Sequence, residues 1–235
     1  MSKKSLLAAA IGLAMVCAPS AGGVVTAKFL GVYPGQRIHV HDSSSYWPLD
    51  RYARAGIYNL TIRPGTTDFS LGAVGDTFLA LCIDLKNPIS TNHVYTWTVV
   101  DPSDAPNPTT YSDGHITAAE LLALQQLLGA FPLTSITTNQ QASALQAAAW
   151  EIVNESGSVY DVTSGNFRAG GALNTTLANQ MLATAAGYQG ALPELMALTH
   201  PCAQDLIVIV PEPATLSVLA AGMSVLVFRL RHRRR

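Results

Sequence analysis

The chain is poor in charge and in cysteine, and the charge it has is unevenly placed. Only 12% of its 235 residues are Asp, Glu, Lys or Arg while 49% are hydrophobic, a balance that excludes a disordered chain and supports a packed core. Between Gly22 and Val210 seven Lys and Arg stand against fourteen Asp and Glu, a balance of about −7. A nucleic-acid partner is disfavoured on that count, because such surfaces need clustered positive charge. No G-x-S-x-G, H-E-x-x-H or phosphate-loop pattern occurs anywhere, so no nucleophile elbow, zinc-protease helix or nucleotide cradle is visible. Internal repeats and low-complexity tracts are absent too. Cysteine is limited to Cys17, Cys82 and Cys202.

The basic residues that the body lacks sit at the two ends. Lys3 and Lys4 precede residues 6–18, an uncharged apolar run about as long as a signal-peptide core and too short to span a bilayer. Small residues follow at Ala18, Ser20, Ala21 and Gly22, which places cleavage there and makes residues 1–21 a signal peptide. At the other end Pro211-Glu212-Pro213 leads into residues 214–228, which carry no charge, and then into Arg229, Arg231, Arg233, Arg234 and Arg235. Arginines directly after an apolar run hold a tail on the cytoplasmic side of a membrane. That order of tripeptide, apolar run and arginine cluster resembles the PEP-CTERM sorting signal. The resemblance implies an exosortase-type sorting enzyme as partner and a C-terminal transmembrane helix with its basic tail over residues 214–235. It also implies export across the cytoplasmic membrane and a final place at the cell surface or in the extracellular matrix. An ordinary single-pass anchor that is never processed is the alternative.

Residues 22–205 are expected to form one extracytoplasmic domain, followed by a short stalk at 206–213. From Val24 to about Val100 the pattern is of strands between turn signals at Pro34-Gly35, Arg63-Pro64-Gly65, Gly72, Gly75-Asp76 and Asn87-Pro88. Residues 77–85 alternate, with Phe78, Ala80, Cys82 and Asp84 on one face and Leu79, Leu81, Ile83 and Leu85 on the other. Residues 94–100 put Tyr95, Trp97 and Val99 on one face. A proline-rich loop at 101–113 then gives way to helices. Thr117-Ala-Ala-Glu120 has capping-box spacing and predicts a helix over 118–129. Leu145, Ala148, Ala149, Ile152 and Val153 form a helical stripe within 140–155, and a third helix is expected over 173–186, ending at Gly187. A further strand is expected near 206–210. The fold class read from this order is α+β: a mainly β N-terminal half, sandwich or barrel, with a segment of about three helices.

With Cys17 removed, the mature chain keeps Cys82 and Cys202 in an oxidising compartment, which makes them candidates for one disulfide. A second use of Cys82 comes from two local motifs, Leu81-Cys82 in the strand and Leu145-Gln146-Ala147-Ala148-Ala149-Trp150 in the second helix. They resemble thioester domains, surface adhesin domains in which a Cys follows an aromatic or Leu and a later Thr-Gln-x-Ala-aliphatic-Trp motif supplies a Gln. The resemblance implies Cys82 as the thiol and Gln146 as its acyl partner, with Ala148 and Trp150 at the flanking positions. Leu145 stands where the family has Thr, and Ala149 is small for the aliphatic position. A buried internal thioester is an activated acyl group that an amine or hydroxyl on a target surface opens to form a covalent link. In the plain reading Gln146 is a surface helix residue with Trp150 packed one turn on.

The remaining constellations are slighter. His39 and His41 share a strand face beside Asp42, the donor set of a metal site or of a solvated strand. Tyr46, Trp47 and Tyr52 suit either a polysaccharide platform or a loop anchor. No cofactor is expected. The reading taken first is a non-enzymatic surface or matrix protein, adhesive or structural in the envelope, with exopolysaccharide or a surface amine or hydroxyl as target. A covalent thioester adhesin is the alternative, and a secreted hydrolase comes third.

Overall fold

The computed structural model describes residues 22–43, 48–106, 115–155 and 159–211. Its first two strands, β1 (Val24–Asp42) and β2 (Leu49–Ile62), form a long antiparallel ladder running from Ala27↔Ile62 to Asp42↔Leu49. Pro34-Gly35, expected to separate two strands, lies inside one bent strand, and register slips at Phe29/Gly31 and Val32/Gly35 mark the bends. Such bulges sharpen the bend of a strand without ending its ladder. Glycine is required at this crossing. A Cβ on Gly35 would lie 2.6 Å from the Ala55 carbonyl oxygen, and one on Gly56 would lie 2.3 Å from that of Pro34.

From β2 the sheet continues through β3 (Thr77–Cys82), β7 (Leu206–Ile209), β6 (Leu195–Thr199) and β4 (Val94–Val100) back to β1, every pairing antiparallel. Because β1 also pairs with β2, these six strands close on themselves, which leaves no open edge within the ring. Strand β5 (Phe167–Gly170) adds to the far end of β1. Trp97 and Val99 of β4 are buried while Thr96 and Thr98 are exposed, the alternation read from the sequence.

The three α-helices of the described residues are α1 (Ala118–Ala130), α2 (Asn139–Asn154) and α3 (Thr175–Ala186). The capping box at Thr117 and Glu120 is formed, with Thr117 N–H donating to Glu120 Oε2 at 2.7 Å. Gly187 closes α3 as expected, although that helix starts two residues later than its pattern suggested. Helix α2 packs against β1 and β2 and against α1 and α3. Covered on both sides, it buries twelve of its sixteen residues, more than a single stripe provides. Ala142, Ala144, Ala147, Ala148 and Ala149 suit both demands, since alanine favours helix and its small side chain permits close approach.

Residues 206–209, assigned to a stalk by the sequence division, are an inner strand of the ring, paired with β3 on one side and β6 on the other. The expected signal peptide and the transmembrane helix with its arginine cluster lie outside the described residues. Among the described residues no helix is long and apolar enough to cross a membrane.

Candidate functional site

Strand β3 pairs with β2 as far as Tyr58↔Ala80, beyond which β2 keeps only its pairing with β1. On the other edge β3 stays with β7 as far as Cys82↔Leu206. The N–H and C=O of Cys82, which point toward the departed β2, therefore need other partners, because an unpaired buried peptide group costs about 1–3 kcal/mol. Gln146 supplies both. Its carboxamide Oε1 accepts from Cys82 N–H at 2.9 Å and its Nε2 donates to the Cys82 carbonyl at 2.8 Å. Both residues are 0% exposed. The plain sequence reading of Gln146 as a surface residue is thereby corrected: its helix is covered on both faces, and its amide stands in for a missing strand.

The Cys82 thiol donates to the Asp84 carbonyl at 2.9 Å, and the Asp84 N–H lies 3.4 Å from the sulfur. Burial pushes this thiol up to about 12 and the Asp84 charge adds to the rise, while the Asp84 N–H, which donates to the sulfur, opposes it together with Trp150 and Tyr58. Trp150 lies one turn along α2 from Gln146, and its buried indole N–H makes no hydrogen bond. Tyr58, buried and with its own proton held well above the usual range mainly by burial, donates to Gln204 Oε1 at 2.8 Å. Gln204 is fixed in turn by Trp97 Nε1, which donates to its carbonyl at 3.0 Å, and it donates through Nε2 to the Asp84 carbonyl at 3.3 Å. The Asp84 carboxylate is spent on its own loop, accepting from Lys86 N–H and Asn87 N–H at 2.7 and 3.1 Å. The centre is thus a buried cluster of thiol, carboxamide, indole and phenol.

A cavity of about 730 Å³ opens beside it, lined at one end by Tyr58, Trp150 and Gln204 and elsewhere by β1, β2 and the loop after β3.

Of the residues singled out in the sequence, Cys82, Gln146 and Trp150 come together. Cys202 does not join them: it is exposed in the β6–β7 turn, Cys82 is buried, and both are free, so the alternative Cys82–Cys202 bridge is not formed. His39 pairs with Asp50 at 2.9 Å and lies edge-on to Tyr52. No cluster suited to a metal occurs among the described residues. Pro211 is exposed, while Glu212, Pro213, Tyr46 and Trp47 lie outside the described residues. Tyr58 and Gln204 were not read from the sequence at all. No local motif marks either, since each acts through a partner more than a hundred residues away, although Asp84 shares the alternating face of Cys82.

A second buried polar group sits on the same helix. Glu151 accepts from Asp161 N–H at 2.7 Å through one oxygen, while its other oxygen is buried without a partner. Burial raises its carboxyl to about 7, the Asp161 bond opposes the rise, and the Glu155 and Asp161 charges add to it.

Comparison with family models, with curated proteins and with solved structures finds no match to this chain.

Proposed function

We propose that the chain is an exported, non-enzymatic surface or extracellular-matrix protein with an adhesive role, and that its body captures a target covalently through a thioester between Cys82 and Gln146. The observation that carries this reading is the docking of the Gln146 carboxamide on both backbone groups of Cys82, at 2.9 and 2.8 Å. It holds the carboxamide carbon against the residue that bears the thiol.

The chemistry balances without a co-reactant. The Cys82 sulfur attacks the Gln146 carboxamide carbon; the carbon–sulfur bond forms, the carbon–nitrogen bond breaks, and the thiol proton leaves with the amino group as ammonia. Charge developing on Oε1 meets the Cys82 N–H already aimed at it, the arrangement that stabilises a tetrahedral intermediate. Cys82 and Gln146 are themselves 0% exposed, which keeps bulk water away from the bond. A thiol held up to about 12 is a poor leaving group, so the bond persists until a nucleophile reaches it.

Export and sorting rest on the two ends of the sequence: the apolar run at 6–18, and Pro211-Glu212-Pro213 with residues 214–228 and the arginines behind them. The second reading is the same adhesive or envelope-structural domain with a free thiol. The Cys82 S–H bond to the Asp84 carbonyl at 2.9 Å favours it, since that contact occupies the thiol proton.

The intact mass of the chain, exported by a bacterial host and purified without reductant, decides between them. A deficit of one ammonia is expected, abolished in Cys82→Ala and Gln146→Ala and replaced on methylamine treatment by the mass of that amine. An unmodified mass establishes the free-thiol reading, and a loss of two hydrogens a Cys82–Cys202 disulfide. A tag placed after Arg235 is expected to be absent from the extracellular form; its persistence there rules out removal of the tail.

A further inference from the structure

The cavity beside Cys82 and Gln146 differs in charge from the rest of the body. Among the described residues lining it, Arg51 and Arg54 are the only charged side chains and there is no carboxylate, although the body as a whole is acidic. Arg51 is held by donating to the Leu85 carbonyl, and Arg54 Nε donates to the Val32 carbonyl at 3.3 Å. Neither makes a salt bridge among the described residues, where the one such contact joins His39 to Asp50.

Two exposed aromatic rings flank the arginines. Tyr33 is 75% and Tyr52 57% exposed, and both line the cavity. The Arg37 guanidinium lies 4.6 Å from the Tyr52 ring centroid and adds positive charge at its edge. Large exposed aromatics around a concave site mark ligand binding. At the inner end the cavity reaches Trp150, whose buried N–H has no partner, and Tyr58. A volume of about 730 Å³ falls in the range that holds small ligands, roughly 300–1,000 Å³.

We propose that this cavity binds a carboxylate-bearing glycan and presents one of its hydroxyls to the Cys82–Gln146 centre. Arginine recognises carboxylates through paired N–H donors, and tyrosine rings pack against the apolar faces of sugar rings. The same arginines repel the ammonium of a lysine side chain or a polyamine, so at equal concentration the cavity favours a hydroxyl on an acidic target over such an amine, while millimolar methylamine, small and partly neutral, still opens the bond. The Trp150 N–H, which meets no acceptor at full hydrogen-bond distance, can donate to an incoming hydroxyl oxygen. Delivery to the centre rests on the thioester reading; binding does not. In the transfer the glycan oxygen bonds to the Gln146 acyl carbon, the carbon–sulfur bond breaks, and the hydroxyl proton passes to the Cys82 sulfur. The product is an ester of the glycan on residue 146 and a restored thiol.

The test is calorimetric titration of the full chain in detergent with trigalacturonate, with neutral maltotriose and with a lysine-containing peptide, followed by intact mass. Trigalacturonate is expected to bind at least tenfold more tightly than maltotriose. Cys202→Ser, outside both the cavity and the centre, should bind it unchanged, while Arg51→Gln with Arg54→Gln should weaken it at least tenfold; Tyr52→Ala, a surface change, should do so several-fold and stands in should the double variant fail to fold. Equal affinity for maltotriose, no binding, or indifference to both sets of substitutions overturns the proposal. The mass separates it from the reading beneath it. Binding without a covalent adduct keeps the glycan site and removes the thioester, whereas an adduct formed in preference with the lysine peptide keeps the thioester and overturns the glycan.

Discussion

Two of the buried polar side chains of helix α2, Gln146 and Glu151, lie five residues apart and are treated in opposite ways. Gln146 is neutral and satisfied, both ends of its carboxamide engaged by Cys82. Glu151 is ionisable and half satisfied, with one oxygen buried and unpartnered. A neutral group that completes a broken ladder adds rigidity at any pH, whereas an incompletely paired carboxyl makes the fold depend on its proton. One helix thus contains a centre insulated from solution and a site that reports on it.

The sharpest test of the insulated side is chemical. Raising the thiol from the ordinary 9.0 to about 12 lowers its thiolate fraction at pH 8 on the order of a thousandfold. In chains whose mass shows a free Cys82, iodoacetamide is therefore expected to label exposed Cys202 in the native state and Cys82 only after unfolding, as read by peptide mapping; labelling of both at similar rates breaks the contrast. Next in size, Gln146→Ala strands the Cys82 N–H and C=O and leaves a void, at a cost of about 3–5 kcal/mol in urea unfolding. A loss below about 1 kcal/mol would show that water or backbone movement replaces the amide.

Glu151 yields the pH-dependent counterpart. Its folded pKa lies above its ordinary value, so the stability it permits is fully present below about 4.5 and is lost as the pH rises through about 7. Asp161 runs the other way: the Thr163 hydroxyl and N–H and the Asn179 amide lower it to about 2, so its contribution is present above about 3.8 and fades as the pH falls toward 2. Glu151→Gln keeps an acceptor for the Asp161 N–H and removes the charge. With allowance for solvent screening it is expected to stabilise the chain by about 1–2 kcal/mol at pH 8, with little gain at pH 4, in parallel melts. A uniform effect at both pH values would assign the gain to packing. The smallest effect concerns the start of the shared helix. Thr138→Ala removes the side-chain bond to Gln141 N–H and half of the capping box, an expected cost of about 1 kcal/mol. A double variant with Gln146→Ala measures whether the cap and the docked amide act together.

What the sequence revealed follows from which signals are local. The α1 capping box and the alternation of β4 are properties of a few adjacent residues, and both appear as read. Strand β5 has four residues and ends at Gly170, too short for an alternating pattern. Strand β6 is buried at every position, so Leu195 to Thr199 has no polar face to reveal its period. The unity of β1 was hidden by Pro34-Gly35, which ordinarily marks a turn but here sits at a crossing that only glycine fits. In the site, Cys82 and Gln146 were legible because each stands in a recognisable local motif. The Tyr58–Gln204 contact joins residues 146 positions apart and has no such signature.

The position of β7 has a mechanical consequence. The chain leaves the ring at Pro211, directly after a strand paired on one edge with the Cys82 strand and on the other with β6. A pull on whatever follows Pro211 is directed along β7 and loads both ladders in shear, so their hydrogen bonds must yield together rather than open one by one. Leu206, at the foot of that strand, is the register partner of Cys82. Tension arriving through the tail is thus felt within one residue pair of the proposed capture chemistry, and pulling on the C-terminus in a single-molecule experiment should show high resistance to rupture, set by the simultaneous loss of the β3–β7 and β6–β7 pairings.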